Sequence, residues 1–435
     1  MKTRFHRLRN LPVVKYAFRI AKAWRQYGFS AMLTVAKKRL KSVIKDKCTK
    51  ASSPAGTMYA CLLNKYHSGE IRGIAIIPSA FEFETVYNQR TINLSKYLSD
   101  VGYGVVYVAW QWHRAEVLEK NYQHVYKNVI QAPLYDFIET YSMLKMFAKI
   151  TDKKYFVMLP AKIFYAPMFF MKENCFNIYY DIMDDWESFY EVGQAPWYIK
   201  SVEEAFVINA NKVSAVSGPL VDKFSHLRRE IALIGNGHFP ELLGELVDSA
   251  SNKVMNGRDS KVIVGYFGHL TESWFDWDLL FSLIKMKENI NIEIIGYGES
   301  EATRNKIAKT HRIKHIGKIS PCALRNYVSN WDVAIIPFKK SKLSQAVDPI
   351  KIYEYLYFNL PTAATGIPHL KDYPHVIVTD NQAEVFYHAI MELYKQKLSK
   401  EIDSRAITDF LYDKTWDKRF EKLLKPGLLT EICGD

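Results

Sequence analysis

Twice along this 435-residue chain, short apolar runs alternate with helical patterns, and a polar stretch separates the two series. An apolar run followed by a segment of 3.6-residue period marks a βαβ unit, and repeated units build a parallel sheet with helices on both faces. The first series opens at Gly73–Pro78 and passes through a helix over Asn88 to Ser99 and a strand at Val105–Ala109. Further strands are expected at Lys154–Leu159, Asn177–Ile182, Lys212–Val216 and Ile231–Ile234. Between Leu242 and Ser260 the residues turn polar, which predicts an interdomain boundary. The second series has strands at Lys261–Phe267, Ile290–Ile295, around His315-Ile316-Gly317, at Val333–Pro337 and at Pro361–Thr365. Its helices are expected at Asp276–Met286, Cys322–Ser329 and Ile350–Phe358. The fold class is therefore α/β: two Rossmann-like, doubly wound domains, 55–248 and 258–404, facing a cleft. Ligands of such sheets bind beyond the carboxyl ends of the strands.

The charge is concentrated outside both series. Net charge is +13, yet residues 1–50 alone carry fifteen Lys/Arg against one acid, Asp46, so the rest of the chain is close to neutral. Residues 1–54 read as a basic helical segment and linker. Leu11, Val14, Phe18 and Trp24 sit among Lys15, Arg19, Lys22 and Arg25, and a second stretch repeats the mixture from Ala31 to Lys45. A basic amphipathic helix carrying Trp and Phe suits an anionic membrane surface, where each nearby cation contributes about 1 kcal/mol. A hairpin packed on the body is the alternative. Nucleic acid ranks last, because the neutral body offers no second basic face to continue a phosphate track. No apolar run approaches the ~20 residues of a membrane span, and no signal-peptide core is present. Five scattered cysteines lack metal-ligand spacing and suit a reducing compartment, so a cytoplasmic protein, peripheral on the inner membrane face, is expected. The aromatic share of 14% fits aromatic-lined clefts or a membrane-facing surface, though core packing accounts for most such residues.

The strand ends bear on the ligand. Neither G-x-G-x-x-G nor the P-loop pattern is present. Gly268 follows the first strand of the second series, and Gly296-Tyr297-Gly298 follows the second; their amides could face a phosphate or a base. The block Ile335-Ile336-Pro337-Phe338, Asp348-Pro349-Ile350-Lys351-Ile352-Tyr353-Glu354, Leu360-Pro361-Thr362 resembles the donor-binding signature of family 4-like GT-B glycosyltransferases. Gly265-Tyr266-Phe267-Gly268, Gln89-Arg90, Tyr180-Asp181-Ile182-Met183-Asp184-Asp185 and Gly235-Asn236-Gly237-His238 match the same group in order, so the resemblance spans roughly residues 72 to 425. It implies a GT-B fold, a nucleoside-diphosphate sugar as donor, no cofactor and no metal. It also implies retention at the transferred carbon, and a final helix, in about 405–435, crossing back onto the first domain.

The residues of the block have a physical reading beside the resemblance. Pro349 suits the first turn of a helix whose amides point toward a diphosphate. Lys351 can neutralise phosphate charge there. Glu354, three residues on, shares its face and can accept from vicinal ribose hydroxyls; a surface ion pair is the plainer alternative. The family's first glutamate is replaced by Ala346, which leaves the sugar to Asp348 or the Lys342–Gln345 loop. The usual basic pair after the first strand is replaced by His269-Leu270-Thr271-Glu272, which leaves phosphate charge to Lys339, Lys340 or Lys342 with Lys351.

For chemistry, Tyr180–Trp186 ends a strand with three carboxylates, Asp181, Asp184 and Asp185. Glycosyl transfer needs a base for the acceptor hydroxyl, or a polar group holding the sugar, and Asp184 or Asp185 can serve either way; capping the next helix is the competing role. Glu82, His113 and His238 are weaker acceptor-side or hinge candidates. The expected function is sugar transfer to a lipid-linked or growing polysaccharide acceptor, as in capsule, O-antigen or teichuronic-type assembly. A GT-B epimerase, a polyol-phosphate transferase and an inactive membrane scaffold are the alternatives.

Overall fold

The computed structural model describes residues 53–85, 87–243 and 261–425. The expected basic segment 1–50, most of the polar boundary and residues 426–435 lie outside the described residues.

Two sheets carry the molecule. The first has eight strands: β1 (Gly73–Ser79), β2 (Tyr103–Ala109), β3 (His124–Tyr126), β4 (Val129–Pro133), β5 (Lys153–Val157), β6 (Asn177–Ile182), β7 (Lys212–Ala215) and β8 (Ala232–Leu233). Their spatial order is β3-β4-β2-β1-β5-β6-β7-β8, parallel except for β3, which runs antiparallel to β4. The second has β9 (Val262–His269), β10 (Ile290–Tyr297), β11 (Ile313–Gly317), β12 (Val333–Pro337), β13 (Thr362–Thr365) and β14 (Val376–Thr379), all parallel, in the order β11-β10-β9-β12-β13-β14. The two-domain α/β expectation is borne out.

Parallel strands covered on both faces must be apolar throughout, and β1 and β2 are buried at every position. Connections leave β1 toward β2 on one side and reach β5 on the other; β9 is flanked in the same way by β10 and β12. Each domain therefore has a topological switch point, and the carboxyl end of its first strand lies there. The last helix, Trp416–Leu424, leaves the second domain and packs on helix Arg90–Asp100 of the first, with Trp416, Phe420 and Leu423 buried beside β1 and β2.

The β3–β4 pair and β14 were not anticipated. Gln131 and Pro133 interrupt the apolar run of β4, and β14 is only four residues long. The helix expected at Cys322–Ser329 is split, a 3-10 turn over Pro321–Ala323 followed by the α-helix Leu324–Val328.

Candidate active site

The carboxyl edges of the two sheets meet. Asn88, after β1, donates its side-chain amide to Glu354 Oε1 at 2.7 Å. Phe189, after β6, stacks edge-on against Trp274, after β9, with centroids 5.6 Å apart. Lys318, after β11, lies over the ring of Tyr87. The cleft is thus built from loops at strand ends, as the sheet topology requires.

On the second domain's side, helix Ile350–Tyr357 points its first turn at the ends of β9 and β10. Lys351 sits over Tyr266 and Phe338, 5.2 Å from each centroid, and its Nζ has no carboxylate or hydrogen-bond partner among the described residues. Burial pulls its pKa down to about 8, with nearby Glu354 opposing the shift. Glu354 is 8% exposed, and burial raises its pKa; Asn88 and Lys351 act against that. Its Oε1 is held by Asn88, and among the described residues Oε2 has no partner. A half-buried cation without an anion among the described residues, one turn from a carboxylate with a free oxygen, is an unfinished ion-pair arrangement.

The strand-end glycines lie against this helix. A Cβ on Gly268 would stand 2.9 Å from Lys351 Cε, and one on Gly296 would stand 1.9 Å from the Gly268 carbonyl oxygen; both residues have positive φ. No side chain fits either place. At Gly298 a Cβ would strike the His269 ring. His269 fills the loop expected to hold a basic pair; burial first, and Lys351 second, lower its pKa, so the ring favours the neutral form. Glu272 of that loop accepts from the Ser300 amide at 2.8 Å and the Thr303 hydroxyl at 2.7 Å, tying the ends of β9 and β10 together.

Three expectations on this side need correction. Asp348 does not face a sugar: its Oδ2 accepts from the Asn236 amide, and both oxygens accept from the Tyr353 hydroxyl at 3.0 Å, so it binds the hinge to the second domain. Pro349 is the residue before the helix, and Lys351 is its second residue. Lys342 begins the separate helix Lys342–Ala346 and is exposed. Of the other lysines, Lys339 donates to the Glu272 carbonyl at 2.6 Å and Lys340 pairs with Asp380.

On the first domain's side the three carboxylates after β6 divide their work. Asp181 is fully buried and grips Arg90 by two hydrogen bonds, 2.6 and 3.0 Å, while accepting from the Ser214 hydroxyl. Arg90 also donates to the carbonyls of Ile234 and Gly235, so the pair fixes the hinge strand to the sheet. Asp185 caps helix Trp186–Glu191 through the Ser188 amide and hydroxyl, and its Oδ1 is 2.5 Å from Lys223 Nζ. Capping and pairing occupy it; as a catalytic candidate it is withdrawn. Asp184 has no side-chain partner among the described residues. Desolvation first and the charge of Asp185 second push its carboxyl up to about 7, with Arg90 pulling the other way.

Comparison with known proteins bears on this arrangement. No family model matches the chain. It is 23% identical over 176 residues to TuaH of Bacillus subtilis (strain 168), described as a candidate teichuronic acid biosynthesis glycosyltransferase. That match covers 39% of this chain and 44% of TuaH, so it spans less than half of the relative's length. Among solved structures, sucrose-phosphate synthase from Thermosynechococcus elongatus superposes with a TM-score of 0.58 at 14% identity, covering 81% of this chain and 97% of that one. Anabaena Alr3699/HepE, in complex with UDP and glucose, superposes with a TM-score of 0.57 at 12% identity, over 81% and 99%. This chain has the GT-B fold.

Within the GT-B frame Glu82 and His238 turn out structural. Glu82 Oε2 accepts from the amides of Glu119 and Lys120 and from Gln131 Nε2, pinning a loop, so it is not open to an acceptor. His238 is 3% exposed, bridges in strand fashion to Thr415 and sets its Nε2 3.3 Å from the Leu411 carbonyl; it is a hinge residue that fixes the returning helix, not a diphosphate ligand. His113 lies exposed in the loop after β2.

The GT-B site also contains residues the sequence reading passed over. Asn88 holds Glu354 while accepting from Asn93 and from the Trp416 indole at 2.5 Å, so three elements meet on one amide. Neither its residue type nor its spacing singles it out. Trp110 and Trp112, on either side of Gln111 and next to His113, carry a usable signal: two tryptophans just past a strand end, where a doubly wound sheet binds ligand. Among the described residues, no helix is long and apolar enough to cross a membrane.

Proposed function

We propose that the protein is a glycosyltransferase that moves a sugar from a nucleoside diphosphate, held by the second domain, to an acceptor held by the first. The observation carrying this reading is Lys351: a half-buried ammonium, pKa drawn down to about 8, with no anionic partner among the described residues and with strand-end glycines against it. A diphosphate completes that arrangement, taking the charge of Lys351 and the free amides of helix Ile350–Tyr357. The free oxygen of Glu354 is placed to accept from ribose hydroxyls. The descriptions of TuaH and of the UDP-bound HepE structure support the same chemistry.

In the proposed reaction the bond from the sugar to the diphosphate breaks and the acceptor oxygen forms the new glycosidic bond. If the acceptor attacks from the opposite face, Asp184 takes its proton; in a retaining transfer the leaving phosphate takes it and Asp184 holds the sugar. The ionised carboxylate is the working form in both courses. A lipid-linked or growing polysaccharide acceptor at the inner membrane face fits the fifteen Lys/Arg of residues 1–50.

Calorimetric titration with a panel of nucleotide sugars tests the reading. One nucleotide sugar is expected to bind saturably, and Glu354→Ala to weaken it by about 1–3 kcal/mol, the cost of unpaired buried hydroxyls. Failure of every nucleotide and nucleotide sugar to bind the full chain would sink the transferase reading.

A further inference from the structure

An unbroken series of aromatic rings runs along the carboxyl edge of the first sheet and across the cleft. From Trp112 it passes to Trp110 (centroids 5.9 Å apart), Trp197 (6.0 Å), Trp186 (5.2 Å), Phe189 (5.8 Å) and finally Trp274 of the second domain (5.6 Å). Its outer end is open: Trp112 is 62% exposed, in the loop after β2. Its inner end passes Trp186, which follows Asp184 and Asp185 in the chain and is 8% exposed.

Core packing does not account for the polar atoms of this series. Elsewhere in the molecule a buried indole N–H finds an acceptor. Trp331 donates to Glu293 at 2.9 Å, Trp277 to the Leu270 carbonyl at 3.0 Å, and Trp416 to Asn88. The indole nitrogens of Trp110 and Trp186 are buried with no partner among the described residues. A buried N–H left unpaired costs about 1–3 kcal/mol, so on this short track a small turn of each ring that brings its N–H to an acceptor from outside the chain is favoured. An alkyl or isoprenoid tail offers flat apolar contact but no oxygen. A saccharide offers both, with C–H faces for the rings and hydroxyls for the indole N–H groups.

We propose that Trp112, Trp110, Trp197 and Trp186 form the acceptor subsite and bind the saccharide part of the acceptor, leading its terminal hydroxyl toward Asp184. This deepens the transferase reading and rests on it for the identity of the reaction, though not for the binding itself. The subsite takes a glycan of more than one residue, since the rings extend from a solvent-exposed loop to the cleft.

The test is calorimetry on the full chain with lipid-free hexasaccharides of glucose and of glucuronic acid, beside vesicles carrying a polyprenyl phosphate. At least one hexasaccharide is expected to bind. Trp110→Phe, which keeps a ring but removes the N–H, should weaken it about threefold to tenfold. Trp112→Ala, at an exposed position whose loss spares the core, should weaken it by a similar factor through lost ring contact. Binding of neither hexasaccharide would overturn the proposal. So would binding that both variants leave intact, or Trp112-dependent binding of the vesicles alone. A UDP titration of the wild-type chain separates the two readings. UDP bound without any saccharide sinks the subsite and leaves the donor site standing; a saccharide bound without UDP does the reverse.

Discussion

The two sheets share one parallel strand order around their first strands, β1 and β9, yet their carboxyl edges are furnished in opposite ways. The second domain's strands end in Gly268, Gly296 and Gly298, packed so tightly that a single Cβ would collide with backbone or with a neighbouring side chain. The first domain's strands end in bulk: Trp110 and Trp112 after β2, Asp184 and Trp186 after β6. Where side chains are stripped away, backbone amides and a helix end can approach a ligand, which suits a compact anion whose shape does not vary. Where rings line the edge, recognition works through ring faces and the positions of polar groups, which suits a ligand that carries both apolar faces and hydroxyls. One fold thus presents a fixed half and an adjustable half.

The comparison is broken most severely at Asp184, the one carboxylate of its group not spent on structure. Asp184→Asn is expected to lower the transfer rate by roughly 10²–10⁴-fold, the range for losing a positioned acid–base group, with nucleotide-sugar affinity little changed. The wild type should show an acid limb in kcat/KM near pH 7, because the raised pKa keeps the carboxyl protonated below that point. The limb should vanish in the variant. A raised carboxyl pKa also means that stability falls as pH rises from the ordinary carboxylate range to about 7. Asp184→Asn should therefore match or exceed the wild-type Tm at pH 8. A variant that is inactive because it is unfolded would refute the division of labour among the three carboxylates.

A smaller effect is expected at Lys351, on the opposite edge. Lys351→Met should weaken nucleotide-sugar binding by about 1.5–3 kcal/mol, the loss of a charge-assisted contact to phosphate, while leaving saccharide binding to the tryptophan track intact. Smaller again is the pH effect. With the free-state pKa near 8, raising the pH from 7 to 9 should deprotonate Lys351 and cost about tenfold in affinity, provided bound diphosphate holds the proton. Binding should be flat below pH 7. A titration that stays flat from pH 7 to 9, or that persists in Lys351→Met, would remove Lys351 from the phosphate site.

How much of this was legible in the sequence follows from what each residue answers to. Strands such as Val333–Pro337 and the Lys351/Glu354 helix stood out because periodicity and local motif are one-dimensional signals. Asp348 and Glu82 look like ligands in one dimension, since a carboxylate after a strand is a candidate wherever it occurs. What occupies them is far away in the chain: Asn236 for Asp348, Glu119 and Gln131 for Glu82. Asn88 was missed for the converse reason, because its importance comes wholly from meeting Glu354 and Trp416. The three carboxylates of Tyr180–Trp186 show both sides: the group was legible as a site, while the assignment within it required knowing where Arg90 and Lys223 lie.

That assignment has a quieter counterpart in Asp185. Its carboxylate satisfies the Ser188 amide at the start of helix Trp186–Glu191 and faces Lys223, so its removal acts on the helix and not on the reaction. Asp185→Ala should cost about 1 kcal/mol of stability, the usual price of an N-cap, read as a lower midpoint in urea. Asp185→Asn keeps an acceptor for the cap and loses only a partly exposed ion pair, so it should cost less. Transfer should fall less than about tenfold in either variant, through small shifts of Trp186 on the track beside it. The adjacent residues would then separate along two axes, Asp184→Asn losing rate without stability and Asp185→Ala losing stability with little rate. If Asp185→Asn instead matched Asp184→Asn in lost activity, the two carboxylates would have to act as a pair, and the capping role would be secondary.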